Sequence, residues 1–129
     1  MDWFKDVLRF HEELDHPIGG LPHIDLELME SIKAVNLVLE EVHELIVAVL
    51  RRDLVDTADS CVDLIYVVIG LAITFGIDLR PIWNAVHEAN MNKQGGGKRD
   101  DGKQLKPENW CPPQLNVILD NQESLKDNS

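Results

Sequence analysis

The sequence predicts an all-α fold, an antiparallel bundle of four to five helices that is completed by oligomerisation. Apolar residues recur at helical spacing over long segments, and the alternation of apolar and polar residues that is typical of strands is absent. The two longest segments are separated by a few residues only, which favours an antiparallel hairpin, the start of a bundle. The 129 residues, 44% of them hydrophobic, fit one domain over positions 1–129, and oligomerisation would add to its core.

Two helices and a loop are expected in the first part of the chain. Residues 2–14 form a short amphipathic helix whose apolar stripe consists of Trp3, Val7, Phe10 and Leu14. Prolines and glycines at positions 17, 19, 20 and 22 predict a loop over residues 15–25. A long helix follows over residues 26–52, with apolar residues at helical spacing from Leu28 to Val49.

Capping residues mark the next two helices. Asp53 is suited to be the N-cap of a helix that runs from Leu54 to about Phe75, and Gly76 to be its C-terminal cap. Asp78 can cap a fourth helix over residues 79–92, which tolerates Pro81 in its first turn. Glycines and prolines over residues 94–114 predict an extended or mobile tail from about position 94.

Composition narrows the classes of function. The net charge of −11 argues against binding of a nucleic-acid polymer, which needs a basic face, but metal ions would still allow a nucleotide substrate. The N-terminus lacks the basic start and apolar run of a signal peptide. The longest apolar run, residues 64–77, is too short for a bilayer and predicts a buried helix rather than a membrane span. Two cysteines without a disulfide or metal-binding pattern favour the cytoplasm.

Acidic residues occupy positions where core residues are expected. Asp56, Asp59 and Asp63 lie on one face of the third helix, and that face continues as an apolar stripe. Glu41 and Glu44 likewise lie within an apolar stripe of the second helix, beside Glu40. In a hairpin that bends at residues 51–53, the two sets of carboxylates would face each other.

Carboxylates that meet in one groove must pair, protonate or bind metal, because burying isolated charge is costly. Ligand sets made of oxygen alone select hard cations, so we expect Mg²⁺, with Mn²⁺ as a possible substitute. Mg²⁺ usually keeps several waters and shares its coordination with substrate phosphates, so a carboxylate cage predicts a phosphate-bearing substrate.

Two other interpretations of the acids stay open at this point. Two acids three positions apart on a helix most often form a solvated face. Glu40 and His43 also have the Glu-x-x-His spacing of di-iron bundles, but that site needs a second pair, and the other candidate, His87, follows Asn84 instead of an acid.

The ordered motifs resemble the MazG-like and phosphoribosyl-ATP-pyrophosphohydrolase-like superfamily of all-α nucleotide pyrophosphohydrolases. Its signature is Glu-x-x-Glu, a spacer, and Glu-x-x-Asp. Glu41 and Glu44 match the first half. For the second half, either Asp56 and Asp59 supply the spacing, or Asp63 is the aspartate and Ser60 occupies the glutamate position. Further similar segments are Phe10-His11 with its loop and residues 66–70, 75–78, 86–93, 101–106 and 110–113.

The resemblance implies Mg²⁺-dependent hydrolysis of a nucleoside triphosphate, a dNTP in preference, between the α- and β-phosphates, by a homodimer or homotetramer. Glu41, Glu44, Asp59 and Asp63 would hold the metal, with Asp56 as a further candidate, and Glu40 would orient the attacking water. Asn90 and Lys93 would contact the phosphates.

Candidate substrate contacts beyond these are less specific. His11, Trp3 and Phe10 would line a base pocket, or Trp3 and Phe10 simply pack in the core. Lys98, Arg99, Lys103 and Lys106 form a basic cluster that either covers the phosphates or is solvated. Rival substrates are dUTP, phosphoribosyl-ATP or a damaged nucleotide, and the rival class is a catalytically silent helical oligomer that binds nucleotide or metal.

Overall fold

The computed structural model describes residues 1–24 and 28–128, which contain five α-helices and no strand. The helices are α1 (Trp3–Glu13), α2 (Leu28–Leu50), α3 (Leu54–Thr74), α4 (Leu79–Met91) and α5 (Leu115–Asp120), followed by a 3₁₀ turn (Leu125–Asn128). The all-α prediction is confirmed. The predicted start of α2 at Leu26 and the side chain of Leu28, the first member of its stripe, lie outside the described residues.

The chain divides into two compact units, Met1–Asp78 with Gln122–Ser129, and Leu79–Asn121. In the first unit, α3 packs along α2 and also contacts α1. In the second, α4 contacts α5. The single domain expected over positions 1–129 stays a prediction.

The buried face of α1 differs from the predicted stripe. Phe4, Val7, Leu8 and His11 are buried, whereas Trp3 is 53% exposed. The helix carries two overlapping apolar stripes, and the one with Phe4 and His11 faces the neighbouring helix. Gly70, inside α3, makes room for this packing, because a Cβ there would lie 2.9 Å from Nε2 of His11.

A bend of only three residues, 51–53, joins α2 to α3, and its backbone is fixed by hydrogen bonds. Arg52 has a φ of 55°, and the N–H groups of Arg52 and Asp53 donate to the carbonyls of Val49 and Ala48. These are the two hydrogen bonds of a Schellman motif. The side chain of Asp53 then accepts a hydrogen bond from the backbone of Asp56 at 3.0 Å, which confirms it as the N-cap of α3.

A second Schellman motif ends α3. Gly76 has a φ of 71°, and the N–H groups of Gly76 and Ile77 donate to the carbonyls of Ile73 and Ala72, as the predicted cap requires. The 17–24 loop crosses this end, with the N–H of Gly19 bonded to the carbonyl of Ile73 at 2.8 Å. A Cβ at Gly19 would collide with the backbone of Gly76, so glycine is required there.

α3 is the one helix of the described residues that is long and apolar enough to cross a membrane. That criterion concerns length and composition alone, and core helices of soluble proteins also meet it. Its prediction as a buried helix holds for one side only. Ile69 and Ile73 are buried, whereas Ile65 and Val68 are exposed.

The segment that follows α4 has more structure than the sequence predicted. Lys98 and Gln104 form an isolated antiparallel bridge, and the turn between them closes through the N–H of Gly102 and the carbonyl of Arg99 at 2.8 Å. The sequence did not predict α5. The mobility expected from about residue 94 stays a prediction.

Candidate metal centre

The α2–α3 hairpin brings two acidic residues level with each other. Glu41 lies eleven positions before Arg52, and Asp63 lies eleven positions after it. Because both helices rise by the same amount per residue, equal separation from the bend places the two side chains at the same height. Glu41 belongs to the stripe of α2 that faces α3, together with Val38, Leu45 and the buried Ala48.

A three-carboxylate group results, which consists of Glu41, Glu44 and Asp63. Each offers one carboxylate oxygen, and these oxygens lie within 4.8 Å of one another. Glu41 and Asp63 are half-buried, and Glu44 is exposed. Among the described residues this is the group of acids, histidines or cysteines with the spacing of a metal site.

The electrostatics of the group favour a bound cation. Partial burial raises the pKa of Glu41, and the neighbouring charges of Glu44 and Asp63 raise it further. In the described part of the chain, Oε2 of Glu41 is a buried oxygen without a hydrogen-bond partner. A divalent cation would satisfy this oxygen and offset the repulsion, so the residues fit a hard metal ion held by oxygen ligands.

The structure places the three predicted aspartates in different positions relative to the glutamates. Asp63 joins the glutamates, whereas Asp56 and Asp59 are exposed and stand outside the three-carboxylate group. Ser60, in contrast, is buried. This geometry favours the alignment in which Asp63 is the signature aspartate and Ser60 replaces the glutamate. Glu40 is exposed, and its charge contributes to the raised pKa of Glu41. The role of each acid as a ligand or base stays a prediction.

His11 is buried and hydrogen-bonded within the protein, unlike a residue that contacts a ligand. It is only 7% exposed, and its Nδ1 is 2.8 Å from the carbonyl oxygen of Pro17. Its Nε2 faces Gly70. Burial lowers its pKa. Both ring nitrogens therefore face protein groups, although the ring borders a cleft of about 1040 Å³ beside the 17–24 loop.

The aromatic residues expected in a base pocket fall into two places. Trp3 lines a smaller cleft of about 260 Å³ together with Asp6 and Tyr66. Phe10 packs edge-on against Tyr66, with ring centroids 5.3 Å apart. Tyr66 was not among the predicted site residues, although its position one turn after Asp63 was a usable signal.

The remaining predicted contacts lie in the unit Leu79–Asn121, which is described by itself. Asn90 and Lys103 are exposed. The ammonium groups of Lys93 and Lys106 both lie over the ring of Trp110. Sequence reasoning gave Trp110 no role, although it is the one aromatic residue beyond Trp83, in a segment rich in basic residues.

Comparison with known proteins identifies a family. The family model described as phosphoribosyl-ATP pyrophosphohydrolase matches residues 7–90. No curated protein matches the chain. The matched range includes the three-carboxylate group and Asn90, whereas Lys93, Lys103, Lys106 and Trp110 lie beyond it.

Proposed function

This chain belongs to the phosphoribosyl-ATP pyrophosphohydrolase family of the all-α MazG-like superfamily, and from that premise we propose a specific reaction. The chain hydrolyses nucleoside triphosphates, with deoxynucleoside triphosphates favoured, to the monophosphate and pyrophosphate in a Mg²⁺-dependent manner. Its role is control or cleaning of the nucleotide pool in the cytoplasm. Membership of the family supports pyrophosphohydrolase activity. The choice of substrate and metal is our inference.

The observation that carries this proposal is the three-carboxylate group. Glu41, Glu44 and Asp63 present oxygens within 4.8 Å of one another, and one oxygen of Glu41 is buried without a partner. Such a set suits Mg²⁺, which combines a few carboxylates with water and substrate phosphates. Asp59 and Asp56 are further candidate ligands, and Mn²⁺ is a possible substitute.

The residues divide the work of hydrolysis between them. Glu41, Glu44 and Asp63 would hold the metal ion, which would supply positive charge against the phosphate oxygens and lower the pKa of water. Glu40, adjacent to this group and exposed, orients the attacking water and accepts its proton. Asn90 donates a neutral hydrogen bond to phosphate, and Lys93, Lys103 and Lys106 supply positive charge. His11 borders the cleft where the base would bind.

We also propose that the chain acts as a homodimer or homotetramer, without a nucleic-acid polymer or a membrane as partner. An exposed apolar stripe runs along α2 at alternating spacings of four and three, and it consists of Val35, Leu39, Val42, Ile46 and Val49. This is the spacing of a helix–helix seam. Leu39 is 59% exposed and Ile46 is 51% exposed, so a second copy would bury a large apolar area.

One experiment tests the reaction. The chain is incubated with Mg²⁺ and a panel of canonical and modified NTPs and dNTPs, together with phosphoribosyl-ATP, and the products are identified. We expect monophosphate and pyrophosphate from at least one deoxynucleotide, loss of both products in Glu41→Gln, and normal activity in Glu123→Gln, an exposed acid elsewhere. Formation of diphosphate and orthophosphate would contradict the proposed reaction. Cleavage of phosphoribosyl-ATP alone would show that phosphoribosyl-ATP is the substrate instead of a nucleoside triphosphate. No product from any compound would favour the silent oligomer.

A further inference from the structure

Trp110 holds two lysine side chains over its indole ring. Nζ of Lys93 lies 5.4 Å and Nζ of Lys106 lies 4.8 Å from the ring centroid. Both distances are within the range at which the ring quadrupole attracts a cation, and tryptophan is the strongest of the aromatic residues in this respect. The distance between the two Nζ atoms therefore cannot exceed the sum of their distances from the ring centroid.

The ring is itself fixed to α4. Nε1 of Trp110 donates a hydrogen bond of 2.6 Å to the carbonyl oxygen of Ala89. Ala89 is buried near the C-terminal end of α4, so the indole is anchored to the helix that leads to Lys93. Trp110 is half-buried, which leaves its faces available to the two lysines.

The backbones that carry the lysines are also tied together. The side-chain amide of Gln104 donates to the carbonyl of Lys93 at 3.1 Å and to that of Gly97 at 2.8 Å. The N–H of Leu105 bonds to the same carbonyl of Gly97 at 2.9 Å. A Cβ at Gly96 would collide with the carbonyl of Leu105, so glycine permits this close approach. The arrangement is therefore built before any ligand arrives.

The positive charges of this pair are not neutralised. Within the part of the chain that the structure describes, neither Lys93 nor Lys106 forms an ion pair with a carboxylate. Arg99, a few positions away, pairs with Asp101 through both its Nε and a terminal nitrogen. Two unpaired ammonium groups near one ring repel each other, and an anion with two charged groups would relieve that repulsion.

We propose that Trp110 is a positioning residue that holds Lys93 and Lys106 as a binding site for a diphosphate group. The choice of diphosphate rests on the proposed function, because the substrate and the product pyrophosphate both carry that group. The position of the lysines over the ring rests on the geometry of residues 79–121 alone. Trp110 acts through the lysines and does not itself need to contact the phosphates.

The test uses the full chain and inorganic pyrophosphate, with divalent metal removed by a chelator. Calorimetric titration of the wild type should show binding, and Trp110→Leu should weaken it about tenfold, because two lysine side chains that are no longer held in place must be ordered on binding. Trp110→Phe, which keeps a ring, should retain part of the affinity. Trp83→Leu is the matched control, because Trp83 is 71% exposed in the same unit and contacts neither lysine.

A double-mutant cycle separates positioning from a merely structural role. In a Lys93→Gln/Lys106→Gln background, Trp110→Leu should cause no further loss of pyrophosphate affinity. In NMR spectra, the ε-methylene protons of both lysines should be shifted upfield by the ring current in the wild type and not in Trp110→Leu. Equal pyrophosphate affinity in wild type and Trp110→Leu, or unshifted methylenes in the wild type, would overturn the proposal. Pyrophosphate binding with no hydrolysis of any nucleotide would instead refute the proposed reaction alone.

Discussion

Glu41 and Asp63 face each other across the α2–α3 hairpin, with carboxylate oxygens no more than 4.8 Å apart. Their proximity disfavours the charged form of Glu41, because burial and the surrounding charges raise its pKa. The group is thus poised to exchange protons for a divalent cation.

We predict that Glu41→Gln stabilises the metal-free chain at neutral pH and removes its response to Mg²⁺. The amide eliminates one charge from the group, but it is a weak ligand. In the wild type, Mg²⁺ at a hundred times its Kd should add about 2.7 kcal/mol to the free energy of unfolding. Thermal denaturation with and without Mg²⁺ measures both effects, with Glu123→Gln as control. A full Mg²⁺-induced rise in Tm for Glu41→Gln would remove Glu41 from the ligand set.

We predict that Asp63→Asn impairs Mg²⁺ binding far more than Asp59→Asn does. Asp63 lies with the glutamates, whereas Asp59 is exposed outside the three-carboxylate group. Loss of a direct ligand should lower metal affinity by at least the roughly 10- to 100-fold loss seen for groups that merely support ligands. Calorimetric titration with Mg²⁺ compares the two variants. A larger loss of Mg²⁺ affinity in Asp59→Asn than in Asp63→Asn would show that Asp59 supplies the second half of the signature.

His11 should make the stability of the fold depend on pH. Burial lowers its pKa below the ordinary value of 6.5, and the charge of nearby His16 adds to the effect. Because the folded pKa is the lower one, this contribution to the free energy of unfolding is fully present above pH 6.5 and is lost as pH falls through the folded pKa.

Urea denaturation between pH 5 and pH 8 measures this dependence, since the range extends about 1.5 pH units on either side of the unfolded pKa. His11→Gln should flatten the curve over that range. His23→Gln, at an exposed position of the loop, should leave the slope unchanged. An equal slope in His11→Gln and the wild type would assign the pH dependence to other groups.

We predict that Arg52→Gly raises the free energy of unfolding by about 0.5–1 kcal/mol, because a residue with a Cβ is strained in the left-handed region. Arg52 has a φ of 55° at the position where the Schellman motif prefers glycine. Arg51→Gly, one residue earlier, lacks this benefit and should lower stability. Chemical denaturation checks both variants, and a loss of stability in Arg52→Gly would contradict the strain.

If the chain forms the proposed oligomer, Ile46→Glu should reduce it to a monomer, because a charge would enter the exposed apolar stripe of α2. Leu54→Glu, an exposed apolar position at the bend, is the control and should keep the native mass. Sedimentation velocity at matched concentrations measures the mass of each form. A wild type that is monomeric at high concentration would refute the oligomer itself.

Much of the fold follows from local rules of sequence. Asp53 and Gly76 mark the two ends of α3 through a side-chain hydrogen bond and a left-handed backbone conformation, so these boundaries were predictable. The buried face of α1 was not, because its two apolar stripes differ only in which one meets α3, and that choice depends on tertiary packing. α5 is only six residues long, too short for periodicity to reveal it.

The site was predictable to the extent that it depends on spacing within one helix. Glu41 and Glu44 are three positions apart on α2, and their pairing could be foreseen. The choice among Asp56, Asp59 and Asp63 depends on how the bend sets the height of α3 against α2, which periodicity on one helix cannot give. The contacts of Lys93 and Lys106 with Trp110 require a chain reversal between the bridge residues Lys98 and Gln104 that no motif signalled.

The length of the bend at residues 51–53 determines how α3 is placed against α2, and therefore the geometry of the three-carboxylate group. The last hydrogen bond that closes α2 and the side chain that opens α3 both belong to Asp53, so no residue is left over to absorb a change in length. Inserting or deleting one residue there would turn α3 by about 100° relative to α2 and carry Asp63 away from Glu41. Substitutions in this bend should therefore be tolerated far more readily than changes in its length.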